Sequence, residues 1–213
     1  MVFPLVGEEN LVVFIDAERC MGCRACELAC AVEHSMGKNL YRLVHTPEKP
    51  LPRIRIVAID SLYIPMKCQH CRNAPCVAVC PTKALYYTPE GFVEVDTTRC
   101  IGCLLCLAAC PFGHPRYDPG TRAIVKCDFC VDRVRSGRLP ACVEACPTGA
   151  LKFGRLEDIL KELSIERAKQ IVSGLAMQGR LVVKPVEKPV SLLAILKSMY
   201  TPVSWVKRHV FTS

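Results

Sequence analysis

Cys100-Ile101-Gly102-Cys103-Leu104-Leu105-Cys106-Leu107-Ala108-Ala109-Cys110-Pro111 sets three cysteines at intervals of three, a fourth four residues later, and a proline directly after it. Thiolates so spaced can grip three iron corners of a 4Fe–4S cube, and Gly102 lets backbone N–H groups come close to the sulfides. Cys110 starts a helical turn away from the loop that grips the cube, too far round to reach the same one. The motif therefore needs a complement elsewhere, and the chain supplies three further blocks of four cysteines.

All sixteen cysteines of the 213-residue chain fall into these blocks. They are Cys20, Cys23, Cys26 and Cys30; Cys68, Cys71, Cys76 and Cys80; Cys100, Cys103, Cys106 and Cys110; and Cys127, Cys130, Cys142 and Cys146. A disulfide scaffold suits short secreted chains, whereas this sequence opens Met1-Val2-Phe3-Pro4 with no basic n-region, apolar run or twin arginine. Paired C-x-x-C steps suit zinc, but a third ligand three residues on and Cys-Pro endings are iron–sulfur features. The expectation is a cytoplasmic protein that holds its thiols as cluster ligands. The formal net charge of +8 would ordinarily suggest nucleic acid or an anionic membrane. An oxidised 4Fe–4S core with four thiolates carries about −2, so four of them bring the holoprotein near neutrality. The lysines and arginines are read as compensating buried anionic clusters. Nucleic acid is not expected as a partner, because no basic run is interleaved with aromatics.

Taken in order, residues 1–8 read as a loose arm and Leu11–Ile15 as a short buried strand. Ala31 stands where Cys110 is followed by proline, so a helix should continue through 26–34, with His34 beside the ligands or at the surface and not on the metal. Residues 36–52 read as irregular, closed by Pro47, Pro50 and Pro52, and 53–57 alternates as an edge strand. Block two carries two extra residues between Cys71 and Cys76, and His70 is read as non-ligating. Residues 85–88, the turn Pro89-Glu90-Gly91 and residues 92–95 form a hairpin signature. A loop follows Gly113, 123–126 leads into block four, and 133–139 reads as a basic excursion between Cys130 and Cys142. Beyond the cysteines, 156–163 and 164–177 have helical spacing, with Ser164 as an N-cap. A stiff linker, 184–189, then precedes an apolar helix of roughly nine residues, too short to cross a membrane. That helix can pack on the chain's own core, dock on a partner subunit or rest on a membrane surface; docking is the working hypothesis.

Two echoes organise the whole. Cys146-Pro147-Thr148-Gly149-Ala150-Leu151 repeats Cys80-Pro81-Thr82-Lys83-Ala84-Leu85, and the approach Phe14-Ile15-Asp16 to Cys20 repeats Val95-Asp96 before Cys100. The strand entering block one should therefore pair with the strand leaving block four. The expected organisation is an outer module at 9–52 and 119–155, an inserted module at 53–118, a helical extension at 156–183, and a linker and docking tail at 184–213. Because the hairpin joins block two directly to block three, their fourth cysteines should be exchanged. One cluster would use Cys68, Cys71, Cys76 and Cys110, its neighbour Cys100, Cys103, Cys106 and Cys80. By the outer strand pairing, Cys20, Cys23 and Cys26 should take Cys146, while Cys127, Cys130 and Cys142 take Cys30.

The order Cys-Pro, short helix, hairpin, cysteine motif resembles the middle of a bacterial two-cluster ferredoxin. Over about residues 10–154 the chain resembles the polyferredoxin family of electron-transfer subunits. That family includes the iron–sulfur subunits of dimethyl sulfoxide reductase, formate dehydrogenase and nitrate reductase, and the ferredoxin-like partner of carbon monoxide dehydrogenase. The resemblance rests on Cys68-Gln69-His70-Cys71, Pro75-Cys76, Cys80-Pro81, the third block, Lys126-Cys127-Asp128-Phe129-Cys130, Pro140-Ala141-Cys142 and Cys146 to Leu151. It implies an α+β fold of two bacterial-ferredoxin-like modules, one inserted in the other, with a helical C-terminal extension. Some relatives lose a cysteine of the third block and hold a three-iron cluster; here Cys100, Cys103, Cys106 and Cys110 are all present, so four 4Fe–4S clusters are expected. The implied role is a wire between a catalytic oxidoreductase subunit and a second electron donor or acceptor. The catalytic subunit is first of all a molybdo- or tungstopterin enzyme, and next carbon monoxide dehydrogenase or a hydrogenase. No G-x-G-x-x-G, P-loop or catalytic constellation remains once the cysteines are spent as ligands, so the chain itself should not be an enzyme. The rivals are a free polyferredoxin carrier and a cluster-bearing maturation or regulatory protein, from which stoichiometric co-purification with a redox enzyme would distinguish the wire.

Overall fold

The computed structural model describes residues 11–177, so the expected arm at 1–8, linker and docking tail lie outside the described residues. The first compact unit, ending at Leu163, holds every cysteine. The second begins at Ser164 and is described only as helix, to Met177.

Four two-stranded antiparallel sheets carry the cysteine blocks. The strand β1 (Leu11–Ile15) runs into the first block, and the strand leaving the fourth block is its partner, at Leu151–Arg155, with Leu11 opposite Arg155 and Ile15 opposite Leu151. Within the middle of the chain a hairpin of Leu85–Tyr87 and Val93–Val95 closes through Gly91, whose φ of +83° suits glycine. The other two hairpins hold strands that sequence patterning missed. β2 (Ile54–Ile59) pairs with β3 (Leu62–Lys67), in which Pro65 lies opposite Ile56. Proline argues against a central strand, but a two-stranded sheet leaves each strand one open side where the missing N–H costs nothing. Within the stretch expected as loop after Gly113, Arg116–Asp118 pairs with Ala123–Val125. In chain order these last four strands are β4 (Leu85–Tyr87), β5 (Val93–Val95), β6 (Arg116–Asp118) and β7 (Ala123–Val125), and Leu151–Arg155 is β8.

The helices are short. α1 (Ala25–Glu33) continues past Cys30, as the lack of a proline allows. α2 (Leu40–His45) lies inside the stretch read as irregular, with the Asn39 side chain accepting from the Tyr41 and Arg42 N–H groups at 2.8 and 3.3 Å. α3 (Pro75–Ala78), α4 (Leu105–Ala109), α5 (Val131–Arg135) and α6 (Ala141–Glu144) each begin next to a cysteine ligand candidate. α7 (Leu156–Met177) is one helix, so Ser164 is internal to it and is not its N-cap. No glycine or proline falls between Leu156 and Ser173, and the period alone cannot create a boundary there. The basic excursion expected at 133–139 is likewise corrected in part. Arg133, in α5, is 7% exposed and bridges Glu33 (2.7 Å) and Glu144, because its charge is met by carboxylates from α1 and α6.

Packing joins stretches far apart in the chain. Ile54, at the start of β2, is buried with Cys26, Cys30, Cys142 and Leu151, and Ile56 packs against the same group. Conversely Ile124 of β7 is buried with Ala74, Cys76, Leu85, Val93 and Cys106. A third cluster joins Phe92, Phe129 and Val131, with Phe92 stacked on Phe129 at 4.0 Å between ring centroids. β2, whose hairpin precedes Cys68, thus packs with cysteines of the first and fourth blocks, and β7, which precedes Cys127, with cysteines of the second and third.

Candidate metal centres

Two left-handed residues shape each C-x-G-C loop. In block one they are Gly22 and Arg24, with φ of +71° and +60°; in block three Gly102 and Leu104, at +65° and +64°. Such alternation turns successive N–H groups toward one concavity, which suits an anionic group. Arg24 and Leu104 are also the residues from which α1 and α4 start, so the third cysteine, Cys26 or Cys106, is carried inward on the first helical turn. The Cys-Pro-Thr endings give a second repeated device. Against the burial that would raise it, N–H groups of Leu85, Ala84 and Thr82 and the Thr82 hydroxyl (3.8 Å) draw the Cys80 thiol below its ordinary range. Leu151, Thr148 and Ala150 do the same for Cys146, with the Thr148 hydroxyl again at 3.8 Å. Donors fixed on sulfur favour the thiolate and tune a metal bound to it.

The sixteen cysteines line four cavities, four to each. One is lined by Cys20, Cys23, Cys26 and Cys146, a second by Cys30, Cys127, Cys130 and Cys142. A third is lined by Cys68, Cys71, Cys76 and Cys110, and the fourth by Cys80, Cys100, Cys103 and Cys106. Each draws three cysteines from one block and one from another. The four cavities are alike in lining, each walled by sulfur and apolar side chains. All sixteen thiols are free. Four soft sulfur donors facing one space, with left-handed loops turning N–H groups toward it, fit an iron–sulfur cube. Burial favours the protonated form of seven of these thiols in the bare chain: it pushes Cys26 and Cys130 up to about 12 and Cys106 and Cys127 up to about 11, and raises Cys142, Cys71 and Cys76. At Cys76 the charge of Lys126 is the chief opposing influence. Metal binding must therefore displace protons from these sites.

Of the three histidines near the thiols, His114 lines the Cys68 cavity, and the ring nitrogens of His34 and the Nδ1 of His70 are engaged elsewhere. His34 Nδ1 lies 2.7 Å from the Cys30 carbonyl oxygen and 3.6 Å from its Sγ, while Nε2 faces Asp128 at 3.1 Å. Burial works against its charge, but the Asp128 bond prevails and lifts His34 to about 9. Asp128 also accepts from Arg53 and from the Cys130 N–H, and it stays well below the usual carboxylate range. His34 thus buttresses Cys30, whose sulfur further accepts from the Arg53 N–H at 3.2 Å. His70 Nδ1 accepts from the Val93 N–H at 3.1 Å, and its Nε2 is buried without a hydrogen-bond partner among the described residues. Two residues that sequence reasoning passed over, Lys67 and Lys126, are buried in cavity walls. The available signal was their shared position, directly before the first cysteine of a C-x-x-C.

Sequence comparison agrees with this chemistry. A 4Fe-4S dicluster domain matches residues 59–156, and a 4Fe-4S binding domain matches residues 11–32. The chain is 46% identical over 152 residues to the thiosulfate reductase electron transfer subunit of Salmonella typhi, spanning 69% of this chain and 77% of the relative. It is 45% identical over 160 residues to the B subunit of polysulfide reductase from Wolinella succinogenes, spanning 73% and 78%. With the B subunit of anaerobic dimethyl sulfoxide reductase from Escherichia coli it shares 39% over 163 residues, spanning 70% and 75%. Among the described residues no helix is long and apolar enough to cross a membrane. The α+β fold with ferredoxin-like 4Fe–4S domains, the cysteine-lined cavities and these matches together make the chain a non-catalytic member of the family of iron–sulfur electron-transfer subunits of thiosulfate, polysulfide and anaerobic dimethyl sulfoxide reductases.

Proposed function

We propose that the chain holds four 4Fe–4S clusters, one in each cavity, and relays single electrons between a catalytic subunit and a second redox partner. The ligand sets are Cys20, Cys23, Cys26 with Cys146; Cys127, Cys130, Cys142 with Cys30; Cys68, Cys71, Cys76 with Cys110; and Cys100, Cys103, Cys106 with Cys80. The observation that carries this reading is the convergence of four thiols on each of four similar cavities. Crossing of the fourth cysteine supports an outer module, 9–52 and 119–155, around an inserted one, 53–118, each lending the other a hairpin. When bound, such clusters supply reversible one-electron storage; the protein's part is to hold N–H groups on sulfur, exclude water and keep neighbouring sites close.

The partner we propose is a molybdo- or tungstopterin catalytic subunit that reduces a small sulfur compound. Its support is the family resemblance and the names of the relatives, which are subunits of thiosulfate, polysulfide and dimethyl sulfoxide reductases. Anaerobically purified chain is expected to contain about sixteen iron and about sixteen sulfide. Cys30→Ser should perturb the same cluster signal as Cys142→Ser, and a different one from Cys20→Ser. Zinc in place of iron, only half the iron after careful reconstitution, or Cys30→Ser acting on the Cys20 signal would overturn this assignment.

A further inference from the structure

Lys67 and Lys126 are 4% and 3% exposed, the two buried lysines among the described residues. Neither forms an ion pair with a carboxylate there. A buried ammonium without an anion is costly, and hydrogen bonds to carbonyl groups offset only part of that cost. Lys67 Nζ donates to the Cys68 carbonyl at 3.0 Å and lies 5.4 Å from the centroid of the Phe129 ring. Lys126 Nζ donates to the Cys127 carbonyl at 2.6 Å and to that of Val93.

The two are arranged crosswise. Lys67 precedes Cys68 in the chain, yet it lines the cavity of Cys30, Cys127, Cys130 and Cys142. Lys126 precedes Cys127, yet it lines the cavity of Cys68, Cys71, Cys76 and Cys110. β3 ends at Lys67 and β7 one residue before Lys126; with Ile54 and Ile56 of the first hairpin packed on Cys26, Cys30 and Cys142, and Ile124 of the second on Cys76 and Cys106, both lysines are carried across. The Cys80–Cys100–Cys103–Cys106 cavity, by contrast, has no charged residue in its lining.

Resting on the reading of one cluster per cavity, we propose that Lys67 and Lys126 are fixed counter-charges that raise the reduction potentials of the clusters in the Cys127 and Cys68 cavities respectively. A site with four thiolates carries about −2 when oxidised and about −3 when reduced, so a cation in its wall stabilises the reduced form more. The effect is strong because a charge pair a few ångströms apart is weakly screened away from water. The mirrored crossing makes each module's interior potential depend on a residue from the other module's segment.

The test is an EPR-monitored redox titration of the anaerobic full chain with dithionite, with iron content measured on every sample. Lys126→Gln should lower the potential of one cluster, the one whose signal changes in Cys110→Ser. Lys67→Gln should lower a different one, the one whose signal changes in Cys30→Ser. Each shift is expected to reach at least tenfold in the reduction equilibrium, about 59 mV for one electron. The cluster whose signal changes in Cys80→Ser should not move, and Lys→Arg at either position should hold the potential closer to wild type than Lys→Gln. Full iron with all potentials unmoved, or equal shifts of all four clusters, overturns the lysine assignment while leaving the four-cluster reading intact. If a neutral variant sheds iron, loss is compared in oxidised and reduced protein: faster loss on reduction supports the proposal, and equal loss overturns it. A wild-type chain with fewer than four clusters overturns the reading beneath.

Discussion

At Gly22 and Gly149 the backbone is left-handed to the same degree, with φ of +71° and +65°, but a methyl group would meet different neighbours. A Cβ on Gly149 has nothing within 4 Å, so Gly149→Ala should cost only the left-handed penalty, about 1–2 kcal/mol. A Cβ on Gly22 would lie 2.7 Å from the Tyr63 ring, at an atom next to its own Cβ, so the whole ring must move. Gly22→Ala should therefore lose more stability than Gly149→Ala, and adding Tyr63→Ala should bring the two losses together. Anaerobic unfolding followed by cluster absorbance would measure this; equal losses in the two single variants would show that Tyr63 does not cover the loop tightly. Tyr117 comes within 3.3 Å of a Cβ on Gly102, so the third block's loop is roofed in the same manner.

The hairpins act as elements on loan. Ile54 is 2% exposed and belongs to the group with Cys26, Cys30, Cys142 and Leu151, though it lies only fourteen residues before Cys68. Truncating it should cost about 3 kcal/mol, the middle of the range for a buried isoleucine. The damage should fall on the distant sites: in Ile54→Ala, a chelator should first strip the cluster whose signal changes in Cys142→Ser. Ile124→Ala should do the reverse and loosen the cluster that responds to Cys106→Ser, since Ile124 packs with Cys106 and lines that cavity. Chelation that follows sequence proximity, with Ile54→Ala stripping the Cys76 site first, would contradict the crossed packing.

For the chain as a whole, metal and fold are one problem. Two of the three buried clusters of apolar residues are built partly from cysteines, and the four cavities between them cannot close without moving those walls. Removing the metal also restores the formal net charge of +8 and strands Lys67 and Lys126 in the interior. Stripping iron with a chelator under oxidising conditions should abolish far-UV circular dichroism and expose the core to protease, and anaerobic iron and sulfide should restore both. A metal-free chain that keeps native dichroism and protease resistance would show that packing alone sustains the fold.

What sequence alone determined here is what neighbouring residues decide among themselves. The spacing of Cys100, Cys103 and Cys106, the Pro89-Glu90-Gly91 turn, the repeated Cys-Pro-Thr endings and the helix running on past Cys30 are local, so all could be read directly, and the strand echo led from them to the β1–β8 pairing. All sixteen cysteines that line the cavities stood out in the same way. Tertiary structure decided whatever depends on a distant neighbour. Pro65 hid β3 because a proline reads as a break until one knows which side of its strand is open. Arg133 reads as solvated until Glu33, a hundred residues earlier, is placed against it. Ser164 has the identity of a cap but no helix end to cap, since no breaker stops the turn before it. Lys67 and Lys126 share only a position before a C-x-x-C in the sequence; the crossing of two hairpins is what buries each beside thiols of a distant block. Thiolate geometry is carried by a few consecutive dihedral angles, whereas the effect of a charge is set by whatever surrounds it in space.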